Sequence, residues 1–333
     1  MLHLASSFVP AVVVLRAEGQ AVPETVLDRY SDQVEFRVTD AAGLASALPG
    51  ASALLIWDFF SPALREAWPA ADALRWVHVA AAGVDAVLFP ALRESSVVVT
   101  NARGVFDRPI AEFVAASVLA HAKQLHLSRD LQRERVWRHR ETSSLRDRRA
   151  LVVGTGPIGR ASARMLAAIG LSVRGAGRVG RTGDPDFGEV VPSAALVDHV
   201  GDVDYLVLAA PLTEATRGLL DATVLAALPR RAHVVNVGRG ALVDAPALQE
   251  ALAEGRIDGA SLDVFDDEPL PPDSPWWGLP GVVVSPHLSG DVVGWRDALA
   301  EQFADNLERW LAGKELSNEV DKRLGYVPGG GHD

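Results

Sequence analysis

Short apolar runs alternate with helical patterns along most of the chain. The first series of runs comprises Ala11 to Leu15, Val34 to Val38, Ala53 to Trp57, Trp76 to Val79 and Val97 to Thr100. The second series comprises Ala150 to Val153, Ser172 to Gly175, Tyr205 to Ala209, Val234 to Val237, Ala260 to Val264 and Val282 to Ser285. Strands buried on both faces give continuous apolar runs, and intervening helices are typical of parallel βαβ units. The pattern therefore predicts an α/β protein with two parallel sheets.

Two longer helical patterns flank the second series. Arg108 to Leu131 is predicted to be a long helical stretch with few interruptions. Asp297 to Leu311 is predicted to be an amphipathic helix because its apolar residues recur at helical spacing, namely Leu299, Phe303, Leu307 and Trp310. The tail from Gly325 to Asp333 has no core-forming pattern, so it is expected to be mobile.

Length and charge restrict the class of protein. The 333 residues are 48% hydrophobic and 23% charged, which is enough for a large core and for two domains. The formal net charge of −11 disfavours nonspecific binding to nucleic acids and to anionic membranes. The absence of cysteine excludes disulfides, thiolate metal sites and a cysteine nucleophile, and no metal site is predicted.

No membrane segment or secretory leader is predicted. No uninterrupted apolar run reaches the ~18 residues expected of a membrane span. Ala11 to Leu15 is better explained as a first buried strand than as part of a leader, because a basic leading region and a cleavage site are lacking. A cytoplasmic location is the default expectation.

One segment departs from the acidic balance of the chain. Its arginines are Arg129, Arg133, Arg135, Arg138, Arg140, Arg146, Arg148 and Arg149. Acidic residues are interleaved with them, namely Asp130, Glu134, Glu141 and Asp147. A nucleic-acid patch is one interpretation, but the mixed charge favours a solvated or subunit-contacting surface.

A GxGxxG sequence, Gly154 to Gly159, follows the first run of the second series and precedes a helical pattern. The motif alone is weak evidence, because a glycine-rich turn can simply join a strand to a helix. In this context the first glycine permits a tight turn, the second admits a pyrophosphate, and the third allows close helix packing. The start of the helix then attracts phosphate. The second series is therefore the predicted dinucleotide-binding domain.

Two polar motifs stand at the carboxyl ends of predicted strands, where open α/β sheets bind ligands. Arg239 lies between two glycines after the run that ends at Val237. Its planar guanidinium can bind a carboxylate through two parallel hydrogen bonds, and the alternative is an arginine that caps or pairs structurally at the end of the strand. His287 follows the last run within Ser285-Pro286-His287 and could transfer a proton, and the alternative is an ordinary polar loop residue.

A carboxylate partner would keep His287 charged, because histidine has an ordinary pKa of about 6.5 and is mostly neutral at pH 7. The acidic loop before Pro269 supplies three candidates, Asp266, Asp267 and Glu268. On charge alone any of the three is suitable, and all three could instead form a solvated turn. A histidine with an acid and a serine also suggests a hydrolase, but the chain has no GxSxG sequence.

With these motifs in this order, the chain resembles the D-isomer-specific 2-hydroxyacid dehydrogenases, the family of glyoxylate/hydroxypyruvate reductases and D-lactate dehydrogenases. The resemblance extends over nearly the whole chain. It rests on Ala82-Gly83-Val84-Asp85, Thr100-Asn101, Ala111-Glu112-Phe113, the glycine loop, Pro211-Leu212-Thr213, Thr216-Arg217-Gly218, Asn236 to Gly240, Asp263 to Pro269, Ser285-Pro286-His287 and Asn318 to Asp321.

The resemblance implies roles for the site residues. Arg239 binds the substrate carboxylate, Glu268 and His287 form the acid/base pair beside the substrate, and the backbone of Ala82 and Gly83 lines the substrate pocket. Asp263 is implied to hydrogen-bond the nicotinamide amide. Cofactor contacts are implied for Gly154, Gly156, Pro157, Ile158, Gly159, Pro211, Thr216, Val237 and Asp263.

The resemblance also implies the domain arrangement. Two doubly wound parallel-sheet domains are expected, with a Rossmann-type cofactor domain of residues 105–289 inserted into a discontinuous, flavodoxin-like substrate domain. The substrate domain comprises residues 1–104 and 290–333, so that the helix Asp297 to Leu311 returns to it. The family is typically dimeric through the helices after Phe106, and a homodimer is therefore expected.

The end of the second strand of the glycine-loop unit predicts which dinucleotide binds. Enzymes that use NAD usually have an acid there for the ribose 2′-hydroxyl. This chain has Gly177 followed by Arg178 and Arg181, and no carboxylate before Asp184. The two arginines either grip a 2′-phosphate or are surface residues of a flexible turn. We expect NADP(H) to be preferred, with NAD(H) possible.

The expected protein is an NADPH-preferring reductase that converts small 2-keto acids, such as glyoxylate or hydroxypyruvate, to D-2-hydroxy acids. The main alternative is a dinucleotide-sensing binding protein, such as a transcriptional corepressor, because that group shares the fold and the motifs. A phosphoglycerate dehydrogenase is disfavoured, because little of the sequence follows Asn318 and a regulatory domain would not fit there.

Overall fold

The computed structural model describes residues 9–329, and these residues form two compact units. One unit comprises the described part of Met1–Val105 together with Val293–Pro328, and the other comprises Phe106–Val292. Each unit is built around its own sheet. The chain therefore leaves the first unit once and later returns to it.

The described residues contain thirteen strands and ten α-helices. The strands are β1 (Ala11–Leu15), β2 (Glu35–Thr39), β3 (Ala53–Ile56), β4 (Trp76–Val79), β5 (Val98–Asn101), β6 (Arg149–Val153), β7 (Ser172–Gly177), β8 (Arg181–Asp184), β9 (Gly188–Pro192), β10 (Tyr205–Leu208), β11 (His233–Asn236), β12 (Gly259–Leu262) and β13 (Val282–Val284). The helices are α1 (Glu24–Arg29), α2 (Leu44–Ala47), α3 (Ala63–Ala67), α4 (Pro90–Glu94), α5 (Asp107–Ala122), α6 (Leu125–Arg133), α7 (Pro157–Ala168), α8 (Ala222–Ala227), α9 (Ala245–Ala253) and α10 (Trp295–Leu311).

The first unit contains a five-stranded sheet in the order β2-β1-β3-β4-β5, in which every pair of neighbours is parallel. This is the flavodoxin-like strand order. Strands β1, β3 and β4 are buried along their whole length, as their continuous apolar sequences predict. The parallel α/β fold predicted for this part of the chain is confirmed.

The second unit contains an eight-stranded sheet in the order β13-β12-β11-β10-β6-β7-β9-β8. Its strands β9-β7-β6-β10-β11-β12 follow the Rossmann order 3-2-1-4-5-6, and β13 extends the sheet. Strand β8 pairs antiparallel with β9 at the edge. The Rossmann-type fold predicted for this unit is confirmed.

The edge hairpin of β8 and β9 is not predicted by the apolar pattern. Strand β8 has the polar sequence Arg-Thr-Gly-Asp, and β9 buries only Val190 and Val191. Such a hairpin forms by pairing with a neighbouring strand, so it leaves no continuous apolar run in the sequence.

The long helical stretch with few interruptions predicted from Arg108 to Leu131 is confirmed, and one interruption divides it into two helices. Helix α5 ends at Ala122 and α6 begins at Leu125. Between them Gln124 has a left-handed φ of 49°, which cannot continue a right-handed helix. The apolar pattern does not show this change because α6 buries only Leu131.

The end of the described chain is anchored to the first unit. Trp76 stacks on Phe303 of α10 with ring centroids 5.6 Å apart, and α10 also buries Leu299 and Leu307. The amphipathic helix predicted from Asp297 to Leu311 is thereby confirmed.

The tail beyond α10 is held as far as Pro328. The Arg103 guanidinium donates to the carbonyl oxygens of Val327 and Pro328, at 2.9 Å each. These contacts connect Val327 and Pro328 to the first unit, and the mobility predicted for the tail stays a prediction. Gly330 to Asp333, which the same prediction included, lie outside the described residues.

A buried histidine lies in each sheet. His78 on β4 has Nδ1 2.8 Å from Thr100 Oγ1, and burial lowers its pKa to about 3. His233 on β11 has Nε2 2.9 Å from Ser261 Oγ, and burial and neighbouring histidines lower its pKa well below the usual value. The remaining ring nitrogen of each has no hydrogen-bond partner among residues 9–329. Both histidines are therefore neutral framework residues.

Candidate active site

The glycine loop has the close contacts that the motif predicts. Gly154 has a φ of 108°, which favours glycine, and an added Cβ would lie 2.6 Å from the carbonyl oxygen of Ala209. At Gly159 an added Cβ would lie 1.8 Å from the Gly154 carbonyl oxygen. The first glycine therefore permits the turn, and the third permits α7 to pack against it.

The middle glycine leaves the loop open at the start of α7. An added Cβ at Gly156 would meet no atom of the described chain within 4 Å. Helix α7 begins with Pro157, and no described side chain caps its amino end. The N–H groups of the first turn, including that of Ile158, therefore suit an anion. These residues fit the pyrophosphate of a dinucleotide.

Gly177 ends β7 at the position where NAD enzymes usually have an acid. An added Cβ there would lie 3.1 Å from Thr155 Oγ1, which leaves little room for a larger side chain. Arg178 follows, is exposed, and makes no hydrogen bond or ion pair with other residues in the described part of the chain. Its charge is therefore available for an anionic ligand.

Arg181, the second arginine predicted to bind a 2′-phosphate, differs from Arg178 because it pairs with a carboxylate of the protein. Arg181 Nε donates to Asp184 Oδ2 at 3.0 Å, and Arg160 donates to both carboxylate oxygens of Asp184 at 2.9 Å. Burial raises the pKa of Asp184, but the hydrogen bonds from these arginines and from a backbone N–H hold it well below its usual range. Arg181 is therefore engaged within its own hairpin, unlike Arg178, and binding of a 2′-phosphate by either arginine stays a prediction.

The edge hairpin is fastened to α7 by residues that the motifs did not reveal. Arg160 donates to Asp186 at 2.8 Å, and Arg164 donates to the same carboxylate at 3.0 Å. Phe187 lies under β7, where an added Cβ at Gly175 would come within 2.9 Å of its ring. A sequence signal could have predicted this pairing. It consists of two arginines four residues apart on a helix, followed by two aspartates two residues apart.

The loop after β10 is closed by Thr216. Its Oγ1 donates to the Pro211 carbonyl oxygen at 2.7 Å and accepts from the Thr213 N–H at 2.8 Å. Val237 is buried beside the end of β10, and its N–H donates to the Leu208 carbonyl oxygen at 3.0 Å. The predicted cofactor residues Pro211, Thr216 and Val237 thus follow two adjacent strands at their carboxyl ends.

Arg239 follows β11, and Asn236 at the end of that strand fixes its loop. The Asn236 side chain donates to the Arg239 carbonyl oxygen at 2.9 Å and accepts from the Gly238 N–H at 3.1 Å. An added Cβ at Gly240 would lie 2.1 Å from the Phe265 carbonyl carbon, so glycine is required there. The arginine is therefore presented on a rigid turn.

His287 and Glu268 form a pair. Nδ1 of His287 lies 2.7 Å from Oε2 of Glu268, and the two side chains are 28% and 26% exposed. The other oxygen of Glu268 accepts from the Phe265 N–H at 2.8 Å. Burial raises the pKa of Glu268, but the hydrogen bonds from His287 and Phe265, with the nearby charge of Arg239, lower it below its usual value. The glutamate is therefore ionised and suited to hold a charged imidazole.

Asp263 fixes the loop that carries His287. It is fully buried, and its Oδ1 accepts from Ser285 Oγ at 2.6 Å and from the Leu288 N–H at 3.0 Å. Its Oδ2 accepts from the Ser289 N–H at 2.9 Å. The resemblance implies a bond from this carboxylate to the nicotinamide amide, whereas the structure shows it bonded three times within the protein.

In the first unit, Ala82 and Gly83 lie in the loop after β4. Asn101, the last residue of β5, donates from its side chain to the Ala82 carbonyl oxygen at 2.6 Å. The Ala102 N–H donates to the Ala81 carbonyl oxygen at 2.9 Å. The loop is therefore anchored by the neighbouring strand, and its substrate contacts remain a prediction.

Among residues 9–329, no group of three or more histidine, aspartate or glutamate side chains is arranged to hold a metal ion. Within the same residues, no helix is both long enough and apolar enough to span a membrane.

Comparison with known proteins identifies the family. The family model described as "D-isomer specific 2-hydroxyacid dehydrogenase, NAD binding domain" matches residues 115–289, more than half of the chain. The chain belongs to the D-isomer-specific 2-hydroxyacid dehydrogenase family. It is an oxidoreductase of that family that uses a nicotinamide dinucleotide.

Individual relatives are similar over most of the chain. Glyoxylate/hydroxypyruvate reductase A HPR2 of Arabidopsis thaliana is 34% identical over 242 residues, covering 72% of this chain and 75% of the relative. Glyoxylate reductase of Korarchaeum cryptofilum is 33% identical over 271 residues, covering 79% and 81%. The crystal structure of an NADPH-dependent glyoxylate/hydroxypyruvate reductase from Sinorhizobium meliloti, in complex with NADP and sulfate, is similar with a TM-score of 0.80 at 30% identity, covering 95% of this chain and 100% of that one.

Proposed function

We propose that this protein reduces small 2-keto acids of the glyoxylate or hydroxypyruvate type to D-2-hydroxy acids, and catalyses the reverse oxidation, with NADP(H) preferred. The observation that carries the proposal is the 2.7 Å pair of His287 and Glu268 in the unit that contains the glycine loop. The names of the relatives from Arabidopsis, Korarchaeum and Sinorhizobium support the substrate class.

The side chains have separate tasks in this reaction. Arg239 binds the carboxylate of the keto acid through its planar guanidinium, and Ala82 and Gly83 are predicted to contact the same substrate through their backbone. The glycine loop and the start of α7 would hold the dinucleotide, whose reduced nicotinamide would supply the hydride for C2 of the substrate. His287 donates its proton to the carbonyl oxygen, which becomes the hydroxyl group, and Glu268 stabilises the charged imidazole that donates it.

Cofactor preference is proposed to depend on Arg178 in particular. It follows directly on Gly177, and no acid at the end of β7 is present to repel a 2′-phosphate or to bind a 2′-hydroxyl. Arg181 is assigned a supporting role, because its guanidinium is bonded to Asp184. The NADP in the structure from Sinorhizobium meliloti supports this preference.

The unit Phe106–Val292 is proposed to be the cofactor domain, and the other unit the substrate domain. We also propose a homodimer, and a second copy would cover exposed apolar side chains on α6 and the segment after it, namely Leu125, Val136 and Trp137. A cytoplasmic location stays a prediction.

The test is a substrate panel. Purified protein is incubated with NADPH or NADH and with glyoxylate, hydroxypyruvate, pyruvate and bulkier 2-keto acids, while the absorbance of the reduced nicotinamide is followed. Chiral analysis of the product then decides the stereochemical series. NADPH binding without turnover of any keto acid would contradict the proposal and favour a dinucleotide-sensing protein.

A further inference from the structure

We propose that Ser285 is a positioning residue for His287, acting through the buried carboxylate of Asp263. The inference rests on the proposed role of His287 as the proton donor. Asp263 directly follows β12, and Ser285 directly follows β13. The Ser285 hydroxyl donates to Asp263 Oδ1 at 2.6 Å. This contact is named the 263–285 brace.

The loop that carries His287 has a backbone conformation that must be held in place. His287 has a φ of 52°, in the left-handed region that residues other than glycine rarely adopt. Its N–H donates to the Asp263 carbonyl oxygen at 2.9 Å. The next two N–H groups, of Leu288 and Ser289, donate to the Asp263 carboxylate. One aspartate therefore accepts three consecutive backbone N–H groups around the strained residue.

The orientation of the Asp263 carboxylate decides whether those bonds can form. Leu288 uses Oδ1 and Ser289 uses Oδ2, so a rotation of the carboxylate would break both contacts. The Ser285 hydroxyl donates to Oδ1 at 2.6 Å, within the range of a good O–H···O hydrogen bond. The serine thereby fixes the plane of the carboxylate on which the loop depends.

The hydroxyl of Ser285 can be removed without disturbing the strand. Its backbone N–H donates to the Leu262 carbonyl oxygen at 3.0 Å and continues the pairing of β13 with β12. Only the side chain reaches Asp263. A change to alanine therefore deletes the brace and leaves the backbone bonds of the sheet in place.

The experiment compares Ser285→Ala, Ser285→Thr and Ser261→Ala with the unchanged protein. Ser261 on β12 is the matched control, because it is also a serine of this sheet whose hydroxyl bonds a buried side chain, that of His233. The measurements are kcat and KM for keto-acid reduction, the Kd for NADPH, thermal stability, and hydrogen exchange of the peptide that contains Leu288 and Ser289.

We expect Ser285→Ala to lower kcat by about tenfold or more, as the loss of one charge-assisted hydrogen bond predicts. KM and the Kd for NADPH should change by no more than about twofold, and exchange of the loop should become faster. Ser285→Thr should restore kcat because it restores the hydroxyl. Ser261→Ala should lower thermal stability while leaving kcat and loop exchange unchanged.

Three results would overturn the proposal. The first is a Ser285→Ala variant that loses stability as Ser261→Ala does but keeps its kcat and loop exchange. The second is a raised Kd for NADPH with unchanged kcat, which would assign Asp263 to the cofactor. The third is unaltered loop exchange in Ser285→Ala, which would reject the brace even if the unchanged protein reduced no keto acid. In that case the proposed function would fail, and faster loop exchange in Ser285→Ala would still support the brace.

Discussion

The two units have the same framework but different groups at the carboxyl ends of their strands. Each has a sheet of mainly parallel strands with a buried histidine, and in each an asparagine at a strand end holds a loop. In the first unit Asn101 holds the loop of Ala82, which offers backbone groups. In the second unit Asn236 holds the loop of Arg239, which offers a charge. The framework is therefore shared, and the chemistry depends on the loops placed on it.

The second unit also differs from the first in its buried carboxylates, which need hydrogen-bond partners. Its Asp184 and Asp263 are buried, and each accepts several hydrogen bonds. A buried carboxylate without such partners would be strongly destabilising. The loops of the second unit are therefore expected to tolerate fewer polar substitutions than the loop of Ala82.

The largest effect is expected from His287→Gln, which removes the proposed proton donor from a loop and leaves the framework intact. General acid catalysis contributes roughly 10²- to 10⁴-fold, so kcat for keto-acid reduction should fall by that factor. Steady-state kinetics measure the loss, and fluorescence titration should show that NADPH still binds.

His199→Gln is the matched control, because this histidine precedes β10 and therefore lies toward the opposite end of the same sheet. Its kinetics should be unchanged. Glu268→Gln should retain more activity than His287→Gln, because the proposed proton donor itself stays in place. A His287→Gln variant with nearly normal kcat would mean that another group donates the proton.

The second prediction compares the two ends of one strand. Arg239→Lys keeps a charge but loses the planar fork, so kcat/KM should fall roughly a hundredfold. Arg231→Lys, just before β11, changes an arginine that bonds Asp204 at the amino end, and its kcat/KM should be within about twofold of normal. Steady-state kinetics with one keto acid decide the matter. Equal losses in both variants would show that Arg239 acts through stability alone.

The difference between framework and loops also explains how much could be predicted from the sequence. Apolar runs predicted eleven of the thirteen strands of the described residues. Strands such as β1, β3 and β4 are buried along their whole length, which imposes continuous apolar sequence, whereas the edge strands β2 and β13 are partly exposed. The edge hairpin from Arg181 to Pro192 was not predicted from the apolar pattern, because it forms by strand pairing and by ion pairs with Arg160. The break at Gln124 escaped because the polarity of an exposed helix and of a turn is similar.

The candidate site was predictable where a residue type is tied to a chemical task. The pair of His287 and Glu268 was predicted through the family resemblance, since charge alone did not distinguish Glu268 from Asp266 or Asp267. The residues that hold the loops, Asn236 and Ser285, were not predicted as such. Their function depends on which neighbour their side chains meet, and that is a property of the folded sheet.

The third prediction separates the two arginines of the cofactor loop. Arg178→Ala should reduce the preference for NADPH over NADH by about tenfold to a few hundredfold, since a charged hydrogen bond contributes ~1.5–3 kcal/mol. Arg181→Ala should reduce it less, because that guanidinium bonds Asp184. The ratio of kcat/KM for the two dinucleotides is the measurement. A larger effect from Arg181 would reverse the roles assigned to the two residues.

A stricter form of this test combines Gly177→Asp with Arg178→Ala, which should make NADH the preferred dinucleotide. The new carboxylate would repel a 2′-phosphate and accept from the ribose hydroxyl. Because a Cβ at this position would lie 3.1 Å from Thr155 Oγ1, the threonine must shift slightly. Gly177→Ala serves as the control for that crowding, and it should not reverse the preference.

The smallest effect concerns a property that both frameworks share. Burial lowers the pKa of His78 to about 3, compared with about 6.5 in an unfolded chain. Below pH 6.5 the unfolded state therefore binds a proton that the folded state does not, and stability falls as the pH falls. The loss is about 1.4 kcal/mol per pH unit for one histidine until the folded pKa is approached. His233 should contribute in the same direction, because its pKa is also lowered.

Urea unfolding measured between pH 7 and pH 4.5 tests this expectation, with one histidine variant in each unit. His78→Gln and His233→Gln should each be less stable at pH 7, because a buried hydrogen bond is lost, but each should show a shallower decline in acid. Hydrogen exchange of strands β4 and β11 assigns the change to one unit or the other. If both variants kept the full acid slope, the decline would come from carboxylates such as Asp184 and Asp204, whose pKa values are lowered. The acid sensitivity would then belong to the charged second unit and not to the framework that the two units share.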